Sequence, residues 1–101
     1  MSEFENETVR PNARLIILKA LAAQTDERLH SDFIGKELLR FGIDRPREWV
    51  HGELDWLSEM GAVTLLKTGS VVVATLTEKG HRHLRRAIVI EGIDRPSRPG
   101  E

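Results

Sequence analysis

The chain has 101 residues, of which 40% are hydrophobic and 31% charged. That length and balance fit one compact domain of about 100 to 150 residues and exclude two. It contains no cysteine, which removes disulfide frameworks, thiolate metal sites and cysteine nucleophiles and makes a reducing cytoplasm the expected compartment. The longest apolar runs, residues 15–18 and 87–90, fall far short of the roughly 20 residues of a membrane-spanning helix. The opening residues have neither the basic nor the apolar region of a secretory signal, so no membrane location is expected.

The formal net charge of -1 masks a segregation along the chain. Glu3, Glu5 and Glu7 make the N-terminus acidic. Residues 44–59 carry Asp44, Glu48, Glu53, Asp55 and Glu59 against Arg45 and Arg47, and a basic block follows with Lys79, Arg82, Arg85 and Arg86 around His81 and His83. The overall balance is silent about a polyanionic partner; only local patches bear on it.

In chain order, residues 1–8 are polar, acidic and aperiodic and are expected to be a disordered leader. A first helix is expected over residues 11–24, with Pro11 tolerated only near the first turn. Within it Leu15, Ile16, Ile17 and Leu18 sweep more than a full turn, wider than one amphipathic stripe. Either the helix is sandwiched inside the domain or one side faces a second subunit. The polar stretch of residues 25–30 leads to Ser31, an expected N-cap, with Asp32 in the first turn where a carboxylate suits the helix dipole. Phe33, Ile34, Leu38, Leu39 and Phe41 recur at helical spacing up to Gly42. Asp44 is expected to cap a third helix with Pro46 in its first turn; Val50, Leu54 and Leu57 form one face, Trp49 and Trp56 lie seven apart, and Gly61 ends it.

After Gly61 the residues are largely β-branched and broken at Thr68-Gly69-Ser70, which predicts a hairpin with Gly69 at positive φ. Thr77 is expected to cap a fourth helix running to about Ala87, and residues 92–101 to form an extended tail, which leaves 9–91 as the domain. Gly-Ile-Asp-Arg-Pro occurs twice, at residues 42–46 and 92–96, with different flanks; it is read as one turn chemistry used twice and not as a structural repeat.

Helix, helix, tight turn, helix, hairpin, helix resembles a winged helix-turn-helix, an α+β fold. Two junctions sharpen the likeness, Leu54-Asp55-Trp56-Leu57-Ser58-Glu59-Met60-Gly61-Ala62-Val63 and Leu76-Thr77-Glu78-Lys79-Gly80. They are similar to patterns of winged-helix regulators of the MarR, PadR and ArsR groups, over about residues 11–88. The run Val73-Ala74-Thr75-Leu76-Thr77 and the tail with Arg95-Pro96 also resemble small winged-helix proteins of Mu-like prophages. The resemblance implies a transcription regulator of phage or prophage origin that binds double-stranded DNA, with its third helix in the major groove and its wing on the backbone or in the minor groove.

On that template Arg45, Arg47 and His51 are expected to contact DNA from the third helix and Lys67 from the wing, although Asp55 and Glu59 would oppose a duplex. Lys79, Arg82 and Arg86, at i, i+3 and i+7, are expected either to line a phosphate-gripping side of the fourth helix or to be a solvated face. A homodimer is expected through Leu15, Ile16, Leu18, Ile88 and Ile90. His81 and His83 alternate, a spacing that points apart on a helix and does not suit a metal. No nucleophile and base pair or phosphate-cradling loop emerges, so neither enzyme nor cofactor is expected. The competing reading is an interaction module on the same scaffold, binding a phage or host protein in place of DNA.

Overall fold

The computed structural model describes residues 3–98, with side chains from Thr8 onward. Its elements are α1 (Glu3–Ala22), β1 (Arg28–His30), α2 (Ser31–Arg40), α3 (Arg47–Glu59), β2 (Val63–Thr68), β3 (Val71–Leu76) and α4 (Glu78–Leu84). The strands form one antiparallel sheet in the order β1-β3-β2. This is the expected α+β winged helix-turn-helix with one strand more than the sequence suggested. Residues 28–30, read as connection, pair with β3, Leu29 opposite Ala74 and His30 opposite Val73. The strand covers an edge of β3 that would otherwise present unpaired backbone groups.

α1 corrects two expectations. The expected leader is helical from Glu3 onward, residues 1–2 lying outside the described residues, and Pro11 sits inside the helix. Glutamates in the first turns suit the positive end of a helix dipole, which favours the early start. A proline in a helix interior costs about 3 kcal/mol. The burial of Ala13 through Leu18 and of Leu21 just beyond it is more than enough to offset that, at roughly 1.5 to 3 kcal/mol for each large side chain. The wide apolar run is explained by packing within one chain: α1 lies against α2, α3, α4, β1 and β3, so Leu15 to Leu18 all find partners inside.

The helix ends follow one rule. Gly42 (φ 80) and Gly61 (φ 79) are left-handed. The Gly42 and Ile43 amides donate to the Leu39 and Leu38 carbonyls, and the Gly61 and Ala62 amides to those of Ser58 and Leu57. In each case the glycine supplies a conformation that an L side chain resists, and the next residue drops into the core. The second Gly-Ile-Asp-Arg-Pro repeats the device, with Gly92 at φ 95 and Ile93 buried as Ile43 is. The helix starts differ from expectation. Ser31 is the first residue of α2 and not its cap; its buried hydroxyl accepts a hydrogen bond from the Val72 amide, 3.3 Å, tying α2 to the wing. Asp44 does not cap α3, whose N-cap is Pro46 in an extended conformation.

Thr77 does cap α4: its hydroxyl accepts from the Gly80 amide at 3.1 Å and donates to the Gly61 carbonyl at 2.6 Å. A Cβ on Gly80 would stand 2.5 Å from the Ala62 carbonyl oxygen and 2.6 Å from Leu76 Cδ1. The two junctions that carry the sequence resemblance are therefore in contact, and together they fix where the hairpin leaves α3. α4 stops at Leu84, before the expected end near Ala87. The described part of the tail, residues 92–98, has no helix or strand but packs back on the domain. Ile93 and Pro96 are buried, and the Asp94 amide donates to the Pro11 carbonyl. His83, fully buried, accepts from the Ile90 amide at Nδ1 and therefore carries its proton on Nε2, which donates to the Asp94 carbonyl at 2.9 Å.

Candidate nucleic-acid interface

The core face of α3 is Val50, Glu53, Leu54 and Leu57. Its opposite face, by the helical repeat, is Glu48, Gly52, Asp55 and Glu59, all exposed. The centre of the exposed helix is thus acidic, and the cations gather at its N-terminal end. The Arg45 guanidinium lies 5.5 Å from the centroid of the Trp49 ring and donates to the Asp44 carbonyl. Arg47 reaches Asp32 at the start of α2, 3.1 Å, with both side chains half exposed. His51 is half buried on the following turn, its Nε2 without a hydrogen-bond partner among the described residues. Pro46 offers no side-chain cap to α3, and the free amides of a helix N-terminus suit an anionic oxygen.

Lys67 projects from β2 beside α3, where its ammonium stands 3.2 Å from Asp55. Its charge is balanced on the helix itself, as an exposed pair that salt and competing phosphates can separate. Arg45, Arg47 and His51 thus lie at or within the first turns of α3, each with its own neighbours, while Lys67 lies along the same helix toward its acidic half.

The other three expected contacts do not join them. Lys79 Nζ donates to the Met60 carbonyl, 2.7 Å, and closes the opposite end of α3, where a cation suits the helix dipole. Arg86 lies beyond the end of α4 at φ 63 and donates to the Pro96 carbonyl, holding the tail. Since α4 ends at Leu84, the side formed by residues i, i+3 and i+7 is not completed, and Arg82 is exposed, its side chain without a hydrogen bond or ion pair among the described residues. Arg85 pairs with Glu78, and that hydrogen bond together with its positive charge lowers the Glu78 pKa below the ordinary carboxylate value. His81 pairs with Glu27 and His83 is engaged at both ring nitrogens, so the histidine pair has separate structural tasks.

Of the expected subunit-contact residues, Leu18 and Ile90 are core, at 0% and 2% exposure, and cannot reach a partner. Leu15 and Ile16 keep a small exposed fraction at a surface cleft, and Ile88 is half buried.

The sequence reading missed a cluster behind α3. Arg14 Nε donates to Glu53 Oε1 at 2.7 Å, Nη1 donates to the Gly92 carbonyl at 2.9 Å, and the guanidinium lies 3.7 Å from the centroid of the Trp56 ring. Both charged residues are buried. A signal was present: Glu53 sits among Val50, Leu54 and Leu57 on the face turned inward, and Arg14 interrupts an apolar stretch, so each charge demanded a partner.

Comparison with known proteins agrees with this fold. No family profile matches the sequence. An uncharacterised protein of Escherichia phage Mu, gp26, is 30% identical over 91 residues, which is 90% of this chain and 94% of that protein. Among solved structures, F93 from STIV, described as a winged-helix DNA-binding protein, superposes with a TM-score of 0.57 at 28% identity, over 72% of this chain and 79% of F93. The hsRosR-S1 complex gives the same TM-score at 18% identity, over 80% of this chain; the match spans only 63% of the hsRosR-S1 chain and attests to the fold alone. No described helix is long and apolar enough to cross a membrane. The chain belongs to the family of gp26 of Escherichia phage Mu, and its fold is that of the winged-helix DNA-binding proteins.

Proposed function

We propose that the protein binds double-stranded DNA as a small transcription regulator of phage or prophage origin, without enzymatic activity and acting as a homodimer. The reading is supported by the position of Arg45, Arg47 and His51 at or within the first turns of α3, whose N-terminus has no side-chain cap, on a scaffold whose neighbour F93 is described as DNA-binding. Phosphate contacts come from Arg45 and Arg47, and His51 donates to a base edge. Asp55 and Glu59 keep the later half of α3 away from the backbone, so the helix enters a groove end-on, and Lys67 moves from Asp55 to a phosphate. Neutralising each phosphate contributes about 0.9 to the slope of log K against log salt. Retention of duplex DNA across a salt series tests this. The constant falls steeply with salt for the native protein, and reversing Arg45 and Arg47 to glutamate abolishes retention. No retention at low salt, or retention indifferent to both reversals, refutes the reading.

The acidic outward face of α3 favours a second reading, an interaction module that binds a phage or host protein. A stable complex recovered from nuclease-treated lysate and unaffected by reversal of Arg45 and Arg47 supports that version over the first.

A further inference from the structure

We infer that His83 makes a strap of the C-terminal residues 90–96 and works as its pH-sensitive latch, closed on the neutral ring and opened when the ring takes up a proton. The imidazole is fully buried, and both nitrogens are committed to the strap. Nδ1 accepts from the Ile90 amide at 3.1 Å, and Nε2 donates to the Asp94 carbonyl at 2.9 Å. The two contacts bracket the turn that holds Gly92 and Ile93. From there the strap reaches α1, where the Asp94 amide donates to the Pro11 carbonyl and the Gly92 carbonyl accepts from Arg14. It returns to the end of α4 through the Pro96 carbonyl, which accepts from Arg86.

An imidazolium carries an N–H at both nitrogens. At Nδ1 the added proton is set against the Ile90 N–H, donor against donor. Turning the ring over does not help, since the charged form has no acceptor on either side. No counter-charge is at hand either: His83 has no ion pair among the described residues. On α1, which packs against α4, Arg10 and Arg14 both pair with Glu53. On α4 itself Glu78 pairs with Arg85 and His81 with Glu27, Lys79 holds the Met60 carbonyl and Arg86 the strap, and Arg82 is exposed, as are Asp94 and Arg95 on the strap. A buried charge without a partner is costly, so the proton is accommodated by letting the strap go and admitting water to the ring. The closed strap requires the neutral form, and its stability is therefore present at higher pH and lost as pH falls. Release uncovers Trp56, whose ring lies so close to Gly92 that a Cβ there would stand 2.6 Å from it, and takes from Arg86 its carbonyl partner.

The test is amide hydrogen exchange, followed by NMR on the full chain without DNA, for the native protein and His83→Gln. It is run at about pH 8 and about pH 5, the bounds between which histidine changes charge, with protection taken relative to the intrinsic exchange rate at each pH. One linked proton changes an equilibrium by up to about tenfold per pH unit. In the native chain, protection of the Ile90 and Asp94 amides is expected to fall roughly tenfold or more on acidification, while the Ala62 amide, bonded to the Leu57 carbonyl, keeps its protection. The glutamine amide offers one acceptor and one donor, as the neutral ring does, and takes no charge, so its strap stays protected at both pH values. Native protection unchanged on acidification, or an equal loss in His83→Gln, overturns the latch. Nitrogen-15 shifts of the native His83 ring decide the matter even where glutamine does not seat. A ring that becomes charged as the Ile90 and Asp94 amides lose protection supports the latch, and a charged ring with both amides still protected overturns it.

Discussion

Replacing Glu53 with leucine probes the buried charge cluster that joins α1, α3 and the tail. The substitution removes the carboxylate that receives Arg14 Nε at 2.7 Å and leaves the guanidinium inside the protein. Breaking a buried ion pair from one side costs about 3 to 5 kcal/mol, because the remaining charge has lost its counterpart. Arg14 keeps the Gly92 carbonyl at 2.9 Å and the Trp56 ring at 3.7 Å, so the lower end, about 3 kcal/mol, is expected. For a domain of this size that lowers the melting temperature by roughly 12 to 24 °C. Arg14→Met is expected to cost a similar amount, since Glu53 would retain only Arg10, 3.7 Å away and half exposed. In the double variant no buried charge is stranded. It is expected to lie within about 2 kcal/mol of the native protein, so the two changes are coupled by several kcal/mol. Urea denaturation followed by tryptophan fluorescence is the assay, Trp56 being under the guanidinium itself. If the double variant is destabilised by the full sum of the singles, the pair is uncoupled and the reasoning fails.

Two further outcomes concern the joint between α3, the wing and α4. Gly80→Ala drives a methyl group to within 2.5 Å of the Ala62 carbonyl, where backbone on one side and Leu76 on the other leave little room to yield. A loss of about 1 to 3 kcal/mol is expected, and a thermal melt unchanged from native would show that the joint relaxes freely. Thr77→Ala removes both the cap on the Gly80 amide and the bond to the Gly61 carbonyl. A cost of about 1 to 2 kcal/mol is expected, read from the urea midpoint, and serine, which keeps the hydroxyl, restores most of it.

The elements that could be read from the chain are those whose signal is local and repeated. α2, α3 and the hairpin announced themselves through apolar spacing and through Gly42, Gly61 and Gly69, all of which are left-handed in the fold. β1 could not be read, because three residues with a single inward apolar side chain, Leu29, carry no periodicity. Its strand character comes from the waiting edge of β3. The cap positions went wrong for a related reason. Ser31 and Asp44 have side chains suited to capping, but Ser31 is used by the Val72 amide across 41 residues of sequence, a partner that no local rule supplies.

The basic block of residues 79–86 shows how charge in a sequence misleads about charge on a surface. Four cations in eight residues suggested a phosphate-gripping edge, yet the fold spends three of them on itself: Lys79 on the Met60 carbonyl, Arg85 on Glu78, and Arg86 on the tail at Pro96. The shorter run of Arg45 and Arg47, two cations among five acids, places a half-buried Arg45 and an exposed Arg47 at the start of a helix. An arginine bound to its own carbonyl or carboxylate must give up that contact before meeting a phosphate; Arg45 holds a neighbouring carbonyl and the Trp49 ring, and Arg47 and Arg85 each hold an exposed carboxylate, contacts exchangeable at small cost. What decides whether a cation can serve a nucleic acid is therefore what the folded chain has already asked of it. By that measure Arg82, exposed on α4 with no ion pair among the described residues, is as available as the arginines at the start of α3, and the helix N-terminus is what favours α3 for an anion.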